Sequence, residues 1–114
     1  MAKKTLYCVQ VATETKVEKY IKEKRLGTVP VRAENVRDFL DRSSDKDVTE
    51  IIFDYTCVNY IYNRGKSFDP IKEASLRGVA IKIVLPEGLQ KEMQKEYKKE
   101  IKKLIPDIEE KLFD

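Results

Sequence analysis

The sequence predicts a single α/β domain, and three observations predict it. The first is the stretch from Ile51 to Pro86. A β-branched and aromatic run, a polar turn ending at Gly65, a short helical segment and a second apolar run follow one another there as a strand-helix-strand crossover. The second is the pairing of apolar strand-like runs with amphipathic segments along the rest of the chain. The third is size: 114 residues, 41% of them hydrophobic, suit one domain with one core. A crossover of this kind implies a parallel strand pair with a loop at the carboxyl end of its first strand, the end where open α/β sheets place their sites. That loop is Tyr62, Asn63, Arg64, Gly65, Lys66 and Ser67.

Taken in order, Thr5–Val11 reads as a strand with both faces mostly apolar, hence covered on both sides. Ala12–Lys16 is polar and reads as a turn. For Val17–Leu26 two readings stand. Val17, Tyr20, Ile21 and Lys24 fit helical spacing, and Glu and Lys favour a helix; a charged strand forming a hairpin with the first is the other reading. Ala33–Arg42 is an amphipathic helix with Val36, Phe39 and Leu40 on one face, approached through Pro30. Val48–Thr56 is a strand rich in β-branched and aromatic residues. Asp69-Pro70 starts a helix, since Asp caps free amides and Pro is pre-shaped for the first turn, and Gly78 stops it. Val79–Leu85 is a buried strand ended by Pro86. Leu89–Leu104 carries the stripe Leu89, Met93, Tyr97, Ile101 and Leu104 and is expected to be the longest helix. Beyond Pro106, Asp107–Phe113 is expected to add a last helical turn with Ile108 and Leu112 inward. The expected core comprises Val9, Phe39, Ile52, Phe53, Val58, Ile61, Ile81, Ile83, Leu85, Met93 and Ile101.

Composition excludes several chemistries. There is no histidine, so a His general base, a Ser-His-Asp triad and a His metal site are absent. Net charge is +3, from 23 basic and 20 acidic residues, a near-balance that argues against a dedicated nucleic-acid binder. The Lys-rich face of the last helix is interleaved with Glu and reads as a solvated face. Cys8 and Cys57 lie in apolar segments without C-x-x-C spacing, so both read as buried free thiols. Asp54 reads as a structural acceptor at a strand end, since a lone carboxylate lacks the partner that acid–base work requires. No apolar run approaches bilayer length and no signal region opens the chain, so a cytoplasmic location is expected. No catalytic residue, metal ligand or cofactor is expected.

The run Phe53-Asp54-Tyr55-Thr56-Cys57-Val58-Asn59-Tyr60-Ile61-Tyr62-Asn63-Arg64-Gly65 resembles the signature of STAS domains, the anti-sigma factor antagonists and their relatives. The spacing from Asp54 to Gly65 fits that pattern without a gap. Downstream, the run from Ala74 to Pro86 resembles the family's helix end, Arg-Gly turn and last buried strand. The resemblance implies that residues 1–114 form one STAS-like domain, a mixed β-sheet with helices packed mainly on one face. It further implies a non-enzymatic regulatory module that binds a protein partner such as an anti-sigma factor through Tyr62–Ser67. Nucleic acid and membrane are not expected partners, and homodimerisation is left open.

The departures from the pattern bear on control. Arg64 stands where phosphorylated members carry the Ser or Thr that receives phosphate. Tyr62 stands at the usual Asp, Asn63 at the usual Ser, and Cys57 at the usual Gly. A guanidinium accepts no phosphate in that way, and its charge is opposite to that of phosphoserine. Ser67 is the nearest hydroxyl. Two other readings remain. The opening run from Tyr7 to Glu23 resembles the start of the NusG-type transcription-elongation domain, a nucleic-acid-associated reading that needs 17–25 to be helical. A nucleotide or small-anion sensor would instead use Arg64 and Lys66 at the start of a helix, and it predicts a concave pocket at the loop.

Overall fold

Backbone pairing around one central strand organises the chain. The structure, a computed structural model, describes residues 3–24, 28–54, 57–58, 60–61, 64–65, 67–84 and 91–111. Its elements are β1 (Lys3–Cys8), α1 (Val11–Lys24), β2 (Thr28–Arg32), α2 (Val36–Arg42), β3 (Val48–Asp54), α3 (Asp69–Leu76), β4 (Ala80–Val84), α4 (Lys91–Leu104) and β5 (Glu109–Lys111). Residues 57–58 and 60–61 are also helical. The strand order is β2-β1-β3-β4-β5, and every described pairing is parallel. The crossover expected between Ile51 and Leu85 is present: Ile51 lies beside Ile81 and Phe53 beside Ile83.

The parallel sheet corrects the expectation of a mixed one. That expectation placed a hairpin strand within residues 17–26, and those described belong to α1 instead. With a helix between them, β1 and β2 run in the same direction. The polar run Ala12–Lys16 is not a turn but the first turns of α1, begun by Thr13 and Glu14 amides donating to the Gln10 carbonyl at 2.9 and 3.0 Å. Pro30 marks no approach to a helix; it sits in β2, an edge strand, where a missing N–H costs little. The strand predicted over Val48–Thr56 is described as β3 to Asp54; its last two positions lie outside the described residues, and Cys57 is helical. Among the described residues after Pro106, 107–111, none is helical. Backbone pairing with β4 overrides their Glu and Lys preference and makes β5, with Ile108 still buried. The described parts of α1 and α4 are 14 residues each, and the first two residues of the predicted last helix, 89–90, lie outside the described residues. Tyr55, Tyr62, Asn63, Lys66, Leu85, Leu89 and Leu112, and the side chains of Met93 and Tyr97, lie outside the described residues.

Strand order explains where the helices lie. A right-handed crossover from β1 out to β2 places α1 on one face. The crossovers from β2 back over to β3, then to β4 and β5, run the opposite way and place α2, α3 and α4 on the other. The two apolar clusters follow this division. Leu6, Ile51, Phe53, Ile81 and Ile83 pack with Phe39 and Leu40 of α2, Val58 and Ile61, Ile71 and Ala74 of α3, and Ile101 of α4. On the opposite face Tyr7, Ile52 and Val84 pack with Val17 and Ile21 of α1. Helices therefore lie mainly on one face, as expected. Six of the seven β3 residues are buried, as a central parallel strand covered on both sides requires. Val9, expected in the core, is only partly buried.

The smaller cluster carries a polar network beneath α1. Lys82 Nζ donates to Glu50 Oε2 at 2.7 Å and to Tyr20 Oη at 2.5 Å, and lies 5.1 Å from the Tyr20 ring centroid. Tyr7 Oη donates to Glu18 Oε1 at 2.6 Å, and burial with that carboxylate pushes the phenol up. Arg32 pairs with Glu14 at 3.3 Å. These contacts fix the side-to-side position of a helix whose apolar footing is small.

Candidate functional site

The two central strands send their chains apart. β1 and β3 are neighbours, yet β1 leads out to β2 and β3 leads the other way to β4. Such a switch point opens a crevice at the carboxyl ends of the strands. Here the crevice has a volume of about 160 Å³ and is lined by Cys8, Val9, Gln10, Val36, Asp54, Cys57 and Tyr60. A hollow of about 320 Å³ lies near the opposite end of the sheet, between Lys46 and Val79, where Arg77 donates to the Ser43 carbonyl at 3.0 Å. The carboxyl-end crevice is the candidate site, because the strand order places the backbone amides of two helix starts around it.

Asp54 governs that crevice. It is 1% exposed. Its Oδ2 accepts the Gln10 amide at 2.7 Å and its Oδ1 accepts the Cys57 amide at 3.0 Å. Gln10 immediately precedes α1, and Cys57 is the first of the helical residues 57–58. One carboxylate thus joins two helix starts to the end of β3. Helix starts attract anions, and here the chain's own carboxylate occupies that place. A phosphate entering the crevice would meet like charge. The volume is also about half the lower bound of roughly 300 Å³ for pockets that enclose a drug-sized ligand. Both facts disfavour a nucleotide in this crevice. Asp54 is a structural acceptor, as the sequence reading expects.

The two cysteines meet at the same place. Cys8 ends β1 opposite Phe53, and Cys57 follows Asp54 by three residues. Both are free thiols, Cys8 half-buried and Cys57 3% exposed. Hydrogen bonding with the Cys57 thiol holds Cys8 below the ordinary thiol range, with help from Arg32 and against burial, Asp54 and Asp38. The same bond, then burial, then the charges of Cys8 and Asp54, pushes Cys57 well up. Cys8 is therefore the more acidic and more accessible thiol. Among the described residues, no group of three or more Cys, Asp or Glu side chains converges as a metal-ligand set.

The described residues of the predicted loop, Arg64, Gly65 and Ser67, lie beside the crevice rather than in it. Tyr62, Asn63 and Lys66 fall outside the described residues. Arg64 is exposed, its guanidinium 5.4 Å from the ring centroid of Tyr60, a residue 41% exposed that also lines the crevice. The Arg64 amide donates to the Tyr60 carbonyl at 3.0 Å, closing the helical turn. Gly65 follows at φ 63°, a left-handed conformation that glycine adopts without strain. Ser67 Oγ accepts the Asp69 amide at 3.1 Å and supports the start of α3. Among the described loop residues, Arg64, Gly65 and Ser67 do not line the crevice at the strand ends.

No protein-family model matches the chain, and no curated protein or solved structure matches it significantly. Sequence reasoning missed Cys8, Gln10, Val36 and Cys57 as members of one site. The available signal was the pair of apolar strands ending at Cys8 and Asp54. Once they are read as parallel neighbours, their carboxyl ends must adjoin. Among the described residues, no helix is long and apolar enough to cross a membrane.

Proposed function

We propose that the chain is a non-enzymatic regulatory module that binds a protein partner at the rim formed by Tyr60 and the Tyr62–Ser67 loop. The observation that carries the reading is the Arg64 guanidinium lying over the half-exposed ring of Tyr60 at 5.4 Å. Arg and Tyr are the residue types that most often dominate binding energy at interfaces. A pair already stacked loses less freedom on binding than two free side chains. Its position supports the reading too, since loops at this end of a parallel sheet carry function disproportionately. With Lys66 next but one in sequence, the rim favours a partner surface bearing acidic groups.

The finer reading, an anti-sigma factor as partner, rests on the Asp54-to-Gly65 resemblance alone. Asp54 as capping carboxylate and Gly65 in the left-handed conformation suit that motif; the parallel sheet does not follow the mixed one the resemblance implied. With Arg64 at the phosphoacceptor position, recognition on this reading is not toggled by phosphate there. The test is capture from native cell extract by the immobilised wild type, Arg64→Glu and Lys72→Glu, the last an exposed change on α3. Wild type and Lys72→Glu should retain a partner that Arg64→Glu loses, and a purified partner should bind Arg64→Glu weaker by about 2 kcal/mol, roughly thirtyfold. Equal recovery by all three sinks the rim. Binding to nucleic acid that falls steeply with salt would favour the transcription-module reading instead.

A further inference from the structure

We propose that Cys8 and Cys57 form a reactive dithiol at the switch point, which a low-molecular-weight disulfide oxidises to an intramolecular Cys8–Cys57 bond. Three observations carry it. The thiols are far apart in sequence, but the pairing of β1 with β3 brings both to one crevice, which they line together, with Cys8 packed against the apolar cluster that contains Cys57. The two are unequal: Cys8 is half-buried and opens on the 160 Å³ crevice, while Cys57 lies beneath it, 3% exposed. Cys57 is also held in place, because Asp54 Oδ1 accepts its amide at 3.0 Å and so fixes its backbone at the crevice it lines with Cys8. A crevice of this size admits the sulfur end of a small disulfide but not a folded protein.

The chemistry assigns each thiol one task. Thiolate is the attacking species, so the more acidic and more exposed Cys8 reacts first. Cys8 attacks one sulfur of the small disulfide, the S–S bond breaks, and one equivalent of small thiolate leaves. Cys57 then gives up its proton to solvent and attacks Cys8 Sγ, and the second equivalent of small thiol leaves. Two protein thiols are oxidised, one external disulfide is reduced, and the protons released by the protein are those the two small thiols carry away. The inference stands independently of any partner at the Tyr60–Arg64 rim.

Incubating the reduced full chain with oxidised glutathione, then alkylating and measuring intact mass, tests it. Wild type should lose both alkylatable thiols and emerge lighter by two hydrogens with no retained glutathione. Digestion should yield a peptide linking Cys8 to Cys57, and dithiothreitol should reverse the change. Cys57→Ser should stop at one glutathione on Cys8, and Cys8→Ser should remain unmodified while folded. The wild-type product decides by itself, whether or not either variant folds. Persistent glutathione on Cys8, two thiols still alkylatable, or a Cys8-linked dimer in wild type would each overturn the proposal.

Discussion

Replacing Lys82 by Met should unfold this domain more readily than any loop change. Its Nζ lies 2.7 Å from Glu50 Oε2, with side-chain exposures of 7% and 2%. At that distance, with an effective dielectric constant of about 20, the gross attraction is roughly 6 kcal/mol. Removing two ions from water costs several kcal/mol each, so the intact pair is near break-even as a net term. Breaking it is not. In Lys82→Met the Glu50 carboxylate stays beneath α1 without its cation, and such truncations cost about 3–5 kcal/mol. At about 4 °C per kcal/mol for a chain of this length, the melting temperature should fall by roughly 12–20 °C.

Urea unfolding followed by circular dichroism measures the loss, and a double replacement tests the reasoning. Glu50→Leu with Lys82→Met removes both charges, so it should recover to within about 1 kcal/mol of wild type or exceed it. A single variant within about 1 kcal/mol of wild type, or a double variant no better than the single, refutes the argument. pH gives a second check. Burial pushes Lys82 down, but the hydrogen bonds to Glu50 and Tyr20 outweigh it, so its folded pKa lies above the ordinary 10.5. A raised folded pKa means the contribution is complete below 10.5 and is lost as pH rises through the folded value. The gap between wild type and Lys82→Met should therefore be constant near neutrality and close in strong alkali.

Gly65→Ala should cost about 1–2 kcal/mol in urea unfolding; a Cβ there meets nothing within 4 Å, so the cost is the φ of 63° alone. Asp54→Ala strips the carboxylate from the Gln10 and Cys57 amides and should cost about 2–4 kcal/mol, with faster hydrogen exchange at those two amides than at the centre of α4. Cys8 alkylation should reach half its plateau rate at a pH below the ordinary thiol value of 9.0, and Cys57→Ala should move that midpoint upward by removing the hydrogen bond that lowers it.

The crossover was legible because its signals are local. Asp69-Pro70 and Gly78 bracket α3, and β3 and β4 are short apolar runs that only a buried strand explains. β2 was not legible. Its five residues, Thr-Val-Pro-Val-Arg, contain a proline that argues against a strand unless the strand lies at an edge, and edge position is a property of the whole sheet. β5 was obscured for the same reason: Glu-Glu-Lys favours a helix in isolation, and only pairing with β4 makes it extended. At 17–24, the described part of that segment, helical spacing was right and the hairpin alternative wrong, since Val17 and Ile21 face the sheet one turn apart.

The site depended on a long-range fact, the adjacency of β1 and β3. Cys8 and Cys57 read as two isolated hydrophobic thiols when taken along the chain, and each remains half-buried or buried, as that reading requires. What changes their meaning is that a parallel order placing β1 beside β3 forces both strand ends to one point, where Asp54 ties the two departing chains together. The same carboxylate that secures the scaffold also fills the anion-attracting position between the helix starts. It thereby leaves sulfur, not phosphate, as the reactive chemistry of the crevice, while the cationic Arg64 stands outside it on the rim. The proposed thiol chemistry within and the proposed protein recognition beside it are thus separable by substitution: Arg64→Glu should leave the mass change of the dithiol intact.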